Sequence, residues 1–303
     1  MTEAAWEAEW DRVLWKKKSY PDNYVPKSFL SSLSRNSNFV PYTYWYLVRA
    51  SCAISQHLAT IFIFLAVFIQ LNESRLDARV LIWMSIGAFI TGYALWELVD
   101  CRSDSKTSTG ANHAKAMKSS ILVFLALMAL SPVLRTLTAA TSSDSIWALS
   151  AGLFVLSALL ADYTPLRAYI HHQERLTSVL SMNAAISSAV VLASRLPDDQ
   201  SVFALMLFSV QLFALFPILR RRLQTGPGFL QGFVTLSLCG SSVRLAASVS
   251  RIGTCLVFIS LSFVMFVGPG VLIWAQKYKN EIRGTWDPAV PVLNKPDRFG
   301  VTP

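Results

Sequence analysis

Residues 201–222 read Ser-Val-Phe-Ala-Leu-Met-Leu-Phe-Ser-Val-Gln-Leu-Phe-Ala-Leu-Phe-Pro-Ile-Leu-Arg-Arg-Arg. No charged side chain occurs from Val202 to Leu219, and then Arg220, Arg221 and Arg222 follow together. A helix needs about 20 apolar residues to cross the ~30 Å of hydrocarbon in a bilayer. Lys and Arg gather where such helices leave it on the cytoplasmic side. This stretch therefore predicts a transmembrane helix that ends in the cytoplasm.

The same pattern extends in both directions. Apolar blocks run from Ala50 to Leu71 and from Val80 to Val99, and a third begins near Ser119 and is interrupted at Ser131-Pro132. A fourth follows the N-cap cluster Ser142-Ser143-Asp144-Ser145 and ends near Ala161. A fifth covers Leu176 to Ala193, and a seventh, the weakest, Phe229 to Val243. The eighth covers Ile252 to Ala275 and is broken by Gly268-Pro269-Gly270. Polar stretches at Asp100–Met117 and Asp162–Arg175 read as loops. The expected fold is an all-α polytopic transmembrane bundle of about eight spans.

Composition agrees. Of 303 residues, 53% are hydrophobic and only 15% charged, against about a quarter charged in a soluble domain. The organisation expected is a cytoplasmic N-terminal segment over 1–48, a bundle over 49–276 and a cytoplasmic tail over 277–303. Within the first segment, Trp6, Trp10, Val13 and Leu14 at helical spacing suggest a short interfacial helix followed by Lys16, Lys17 and Lys18. Tyr42, Tyr44, Trp45 and Tyr46 form an aromatic belt before the first span.

With both ends inside, the basic residues fall unequally. Only Arg75, Arg79, Arg135, Arg195, Arg244 and Arg251 of the 27 Lys and Arg lie outside, which obeys the positive-inside rule. The net charge of +9 thus sits at span ends, where it suits lipid head groups, and nucleic acid is not an expected partner.

Few residues suggest chemistry. The four cysteines, Cys52, Cys101, Cys239 and Cys255, form no C-x-x-C pair, so neither a zinc site nor a disulfide framework is expected. No P-loop, G-x-G-x-x-G, G-x-S-x-G, H-E-x-x-H or D-x-D occurs. Glu97 and Asp100 share a helix face at i, i+3, but interfacial carboxylates of this kind are mostly solvated or paired. His57 reads as an interhelical hydrogen-bonding residue. The serines of the fifth and seventh spans read as small residues for close packing. At Pro132 the freed carbonyl should be taken up by a nearby hydroxyl. No catalytic residue, metal or cofactor is expected.

Several short motifs, in order, resemble one family. They are Pro21-Asp22-Asn23-Tyr24-Val25 with Phe29-Leu30, Tyr44-Trp45, Ser131 through Thr138, Ala193-Ser194-Arg195-Leu196-Pro197, Phe213-Ala214-Leu215-Phe216-Pro217, and Ile282-Arg283-Gly284-Thr285-Trp286-Asp287. From about Trp10 to Trp286 the chain resembles the PIG-C family of phosphatidylinositol N-acetylglucosaminyltransferase subunits. That resemblance implies a non-catalytic subunit in the endoplasmic reticulum membrane. It would scaffold the catalytic subunit PIG-A and other membrane subunits, and help present phosphatidylinositol, at the first step of GPI-anchor synthesis. Pro21, Asp22, Asn23, Tyr24, Trp286 and Asp287 are then docking candidates. Arg135, Arg220, Arg221 and Arg222 are lipid-binding candidates. An independent lipid transporter or channel is the alternative.

Overall fold

The computed structural model describes residues 41–101, 109–138, 141–163, 176–223 and 228–279, together with Trp6, Lys17, Pro21, Tyr24, Ser34, Arg35, Ile282 and Arg283. Within these the chain is helical apart from one two-residue strand pair. In chain order the helices are α1 (Tyr44–Asn72), α2 (Ala78–Cys101), α3 (Thr109–Thr136), α4 (Ser143–Leu160) and α5 (Leu176–Ala193). Next comes α6 (Asp199–Val210), which passes through a π turn (Gln211–Leu215) into α7 (Phe216–Leu223). Then follow α8 (Gly228–Val249) and α9 (Arg251–Ser262), and a second π turn (Phe263–Val267) leads into α10 (Gly268–Gln276).

Among the described residues seven helices, counting each π-linked pair as one, are long and apolar enough to cross a membrane. The apolar part of α5, Ser178–Ala193, is shorter. The eight expected blocks therefore all appear as helices, and the chain is a multi-pass membrane protein. Some boundaries differ. α3 starts at Thr109 rather than near Ser119, because Ala111, Ala114, Ala116 and Lys115 are strong helix formers that carry the helix beyond the apolar block. α8 likewise runs on past Val243 through Arg244.

The expected breaks at Pro132 and Pro269 are not breaks, since the helix continues through both, as it does through Pro217. Pro132 leaves the Met128 carbonyl without its usual donor, and Ser131 Oγ donates to that carbonyl at 3.2 Å. Pro269 does the same to Met265, whose carbonyl accepts from Ser51 Oγ at 3.4 Å. Here, and before Pro217, the backbone widens into a π turn: the N–H of Phe216 pairs with Gln211 and that of Gly268 with Phe263. A single π turn accommodates an extra residue without ending the helix.

α1 lies at the centre. Of its apolar window 72% is buried, against 39% or less in every other span. It carries a buried polar seam, Ser51, Ser55, Gln56, His57 and Thr60. Gln56 Nε2 donates to Thr235 Oγ1 on α8 at 2.8 Å, and Gln70 Nε2 donates to Ser248 Oγ at 2.9 Å. Phe64 on α1, Phe154 on α4 and Phe213 in the first π turn meet with ring centroids 5.4–5.7 Å apart. α4 and α5 pack through serines, as small residues permit: Ser181 Oγ donates to the Ser157 carbonyl at 2.7 Å, and Ser188 Oγ to the Ser150 carbonyl at 2.9 Å. Apolar side chains such as Trp83, Leu125, Leu159, Leu236 and Ile252 point outward, as hydrocarbon surroundings require.

The segments before α1 and after α10 pair with each other. Ser34–Arg35 and Ile282–Arg283 form an antiparallel strand pair, Ser34 opposite Arg283. Tyr42 N–H donates to Gln276 Oε1 at 3.0 Å.

Candidate functional site

At the end of the bundle where α4 finishes, α5 begins and α7 finishes, an open cavity lies among polar and apolar side chains. Its position follows from the sequence. Span four ends at Ala161, Asp162 and Tyr163, span five opens with Ser178 and Ser181, and span six ends at Arg220 and Arg221. Each helix brings its polar terminus to the same level, and α1 supplies His57 and Thr60 as the floor.

Arg220 is the centre of the site. It is only 5% exposed. Nη1 donates to the Ala53 carbonyl on α1 at 3.1 Å, and Nε is buried with no partner. Its guanidinium carbon lies 5.9 Å from the Tyr163 ring centroid, within cation–π range. Among the described residues no carboxylate forms an ion pair with it. A guanidinium placed in the membrane costs at least ~2.5 kcal/mol unless it is solvated or paired. Arg221 is half-buried and donates from Nη2 to Ser178 Oγ at 2.7 Å. Tyr163 is fixed by its hydroxyl, which donates to the Ala158 carbonyl at 2.8 Å. Burial pushes that hydroxyl up to about 12, although Arg220 pulls it the other way, so it stays a neutral donor.

His57 Nε2 and Ser157 Oγ lie 3.4 Å apart, and the His57 ring meets Tyr163 edge-on at 6.0 Å. The interhelical hydrogen bond expected of His57 is present. Cavity-lining Leu212, Phe213, Phe216 and Pro217 all come from the π turn and its exit. The cavity thus offers two cations, one carboxylate, several hydroxyls and an apolar wall. Among the described residues no three metal-binding side chains come together.

The profile of the family described as phosphatidylinositol N-acetylglucosaminyltransferase matches residues 10–287. The chain belongs to this family. It is 39% identical to the phosphatidylinositol N-acetylglucosaminyltransferase GPI2 subunit of Schizosaccharomyces pombe, over 94% of this chain and 87% of that one. It is 34% identical to a putative subunit of the same transferase from Dictyostelium discoideum, over 96% and 82%. With a subunit of this transferase from Homo sapiens it shares 31% identity over 93% of both chains. No solved structure matches.

The structure separates the lipid-binding candidates. Arg220 and Arg221 line the cavity. Arg222 continues α7, but its side chain lies outside the described residues. Arg135 is at the opposite end of the bundle, where it donates to the Pro197 carbonyl at 3.3 Å and pairs with Asp199 at 3.1 Å. There it works with Arg195, which donates to the Thr141 carbonyl, and with the Thr138–Ser194 hydroxyl pair. Two of the family-like motifs, Ser131–Thr138 and Ala193–Pro197, thus meet as a loop clasp. Of the docking candidates, Tyr24 N–H donates to the Pro21 carbonyl at 2.9 Å, closing the expected turn, and Tyr24 meets Trp6 edge-on at 5.4 Å. Asp22, Asn23, Trp286 and Asp287 lie outside the described residues. Asp162, Tyr163, Ser157 and Ser178 were not site candidates from sequence. Their only signal was a polar residue at a span end or a serine inside one.

Proposed function

We propose that this chain is a non-catalytic membrane subunit of the complex that transfers N-acetylglucosamine from UDP-N-acetylglucosamine to phosphatidylinositol, the first step of GPI-anchor biosynthesis. The observation that carries it is the match to relatives named as subunits of this transferase over nearly their whole length. PIG-A supplies the glycosyl-transfer site, and this chain scaffolds it with other membrane subunits in the endoplasmic reticulum. The helical architecture and the lack of a D-x-D motif favour that division of labour. Both termini are cytoplasmic in this reading. Pairing of the segments flanking the bundle supports an even number of crossings, and the basic residues support the side. Neither the fold nor the relatives lend support to an independent transporter.

Transfer of labelled N-acetylglucosamine to phosphatidylinositol should be lost in microsomes depleted of the protein and return on re-expression. Full activity without it would refute membership of the complex. For docking, the turn at Pro21–Tyr24 and the tail at Trp286-Asp287 are the proposed surfaces. Reversing Asp22 and Asp287 together should reduce co-purification of the catalytic subunit several-fold, and undiminished recovery would remove docking from their roles.

A further inference from the structure

The geometry points to the cavity beneath Arg220 as a head-group site for a phospholipid that carries both a phosphodiester and a hydroxylated ring, with acyl chains leaving sideways between α5 and α7. The inference rests on the reading above for the identity of the lipid, and on the cavity for everything else.

Four observations combine. First, Arg220 is buried and its Nε has no partner, although its other end is fixed to Ala53. A fixed guanidinium with an open donor is a preorganised anion receptor, and guanidinium matches phosphate oxygens in a planar fork. Arg221, held on Ser178, puts a second positive charge on the same wall. Second, the cavity is not uniformly basic. Asp162 lines it with Ser157, Ser178 and Ser181. A carboxylate among hydroxyls disfavours a bare anion but accepts hydrogen bonds from a polyol, so the lining suits a phosphate with ring hydroxyls beside it. Third, Val179 and Ile218 line the cavity yet are 43% and 50% exposed. The wall between α5 and α7 therefore opens onto the apolar outer surface, an exit that a soluble phosphate does not need and an acyl chain does. Fourth, Arg220 ends the span Asp199–Arg221, the depth at which a lipid phosphate lies.

The test uses the full-length protein purified from membranes in mixed micelles of phosphatidylinositol, phosphatidic acid and phosphatidylcholine, with bound lipid quantified by mass spectrometry. Phosphatidylinositol should be retained at least fivefold over the other two. Arg220→Gln should abolish that enrichment, and Arg75→Gln, at the far end of the bundle, should keep it. Should Arg220→Gln fail to fold, Arg221→Gln and Asp162→Asn decide: the first should weaken retention of both anionic lipids, the second only the preference for phosphatidylinositol over phosphatidic acid. Inositol 1-phosphate should compete weakly and inorganic phosphate not at all. Equal retention of all three lipids, or enrichment that survives Arg220→Gln, would overturn the site. Phosphatidic acid held as well as phosphatidylinositol would overturn the ring-hydroxyl part. Full displacement by inorganic phosphate would overturn the lipid assignment in favour of a soluble anion. Because the assay needs no catalytic subunit, a failure here leaves the microsomal rescue intact. Conversely, loss of that rescue leaves lipid retention to stand alone.

Discussion

Arginines occupy both ends of this bundle, and the two ends use them differently. At one end Arg135 and Arg195 bind the carbonyls of Pro197 and Thr141, and Arg135 also faces Asp199. Their donors close the α3–α4 connection onto the α5–α6 connection. The side chain of Arg135 is 45% exposed, so water shares its solvation. At the other end Arg220 is buried, and its Nε has no partner beside an open cavity. A basic residue at a span end satisfies the same topological preference in both places. The Arg195 Nε is likewise buried without a partner, so what distinguishes the receptor from the clasp is the open cavity that Arg220 lines.

The largest expected effect breaks the receptor end. Arg220→Leu should lower transfer activity per molecule by about ten- to a hundredfold, the equivalent of the ~1.5–3 kcal/mol of a hydrogen bond to a charged group. Arg135→Leu should leave activity per molecule unchanged and lower stability by no more than ~1 kcal/mol, as for an exposed ion pair. Microsomal transfer assays normalised to protein abundance, with thermal unfolding of the purified variants, check both. Equal losses of activity would erase the distinction between the ends.

A smaller effect probes the wall that positions the cavity. Ser181 lies between α4 and α5, 4% exposed, and donates to the Ser157 carbonyl. Ser181→Val places an extra methyl in that contact and removes the bond, and overpacking of this kind costs ~1–3 kcal/mol. The unfolding temperature in detergent should fall. Ser181→Ala, which only removes the hydroxyl, should cost about 0.6 kcal/mol, the average for a membrane hydrogen bond.

The apolar blocks made the spans legible, because hydrocarbon forbids charge and demands length. Hydropathy did not rank them. α1 and the span over α9–α10 have mean hydropathies of 2.1 and 2.4, yet 72% of one window is buried and 17% of the other. Central position was encoded instead by polar residues that hydrocarbon would reject: Ser55, Gln56, His57 and Thr60. Proline signalled irregularity at Pro132 and Pro269, and the hydroxyl that takes up the carbonyl freed at Pro132 was legible with it, but the π turns before Pro217 and Pro269 that keep those helices continuous were not. The cationic part of the cavity was legible in Arg220 and Arg221. Asp162, Tyr163 and Ser178 join it through the meeting of three span ends, a tertiary fact with no local pattern.

The smallest expected effect tests whether the polar seam of α1 stabilises or merely specifies. Gln56 donates from Nε2 to Thr235 Oγ1, while its Oε1 is buried without a partner. Replacing Gln56 with Leu removes one hydrogen bond and one unsatisfied acceptor together, so the two changes oppose each other. Thr235→Val removes that partner together with its own 2.8 Å bond to the Gln231 carbonyl, and leaves the Gln56 amide with a 3.5 Å contact to the same carbonyl. Thr235→Val should therefore destabilise by ~1 kcal/mol and Gln56→Leu by less than half of that. Adding Gln56→Leu to Thr235→Val should recover the part of the loss that comes from the unpaired Gln56 amide, as thermal unfolding in a double-mutant cycle will reveal. Additive losses would mean that the two side chains act independently, and that α1 is held central by its apolar contacts alone.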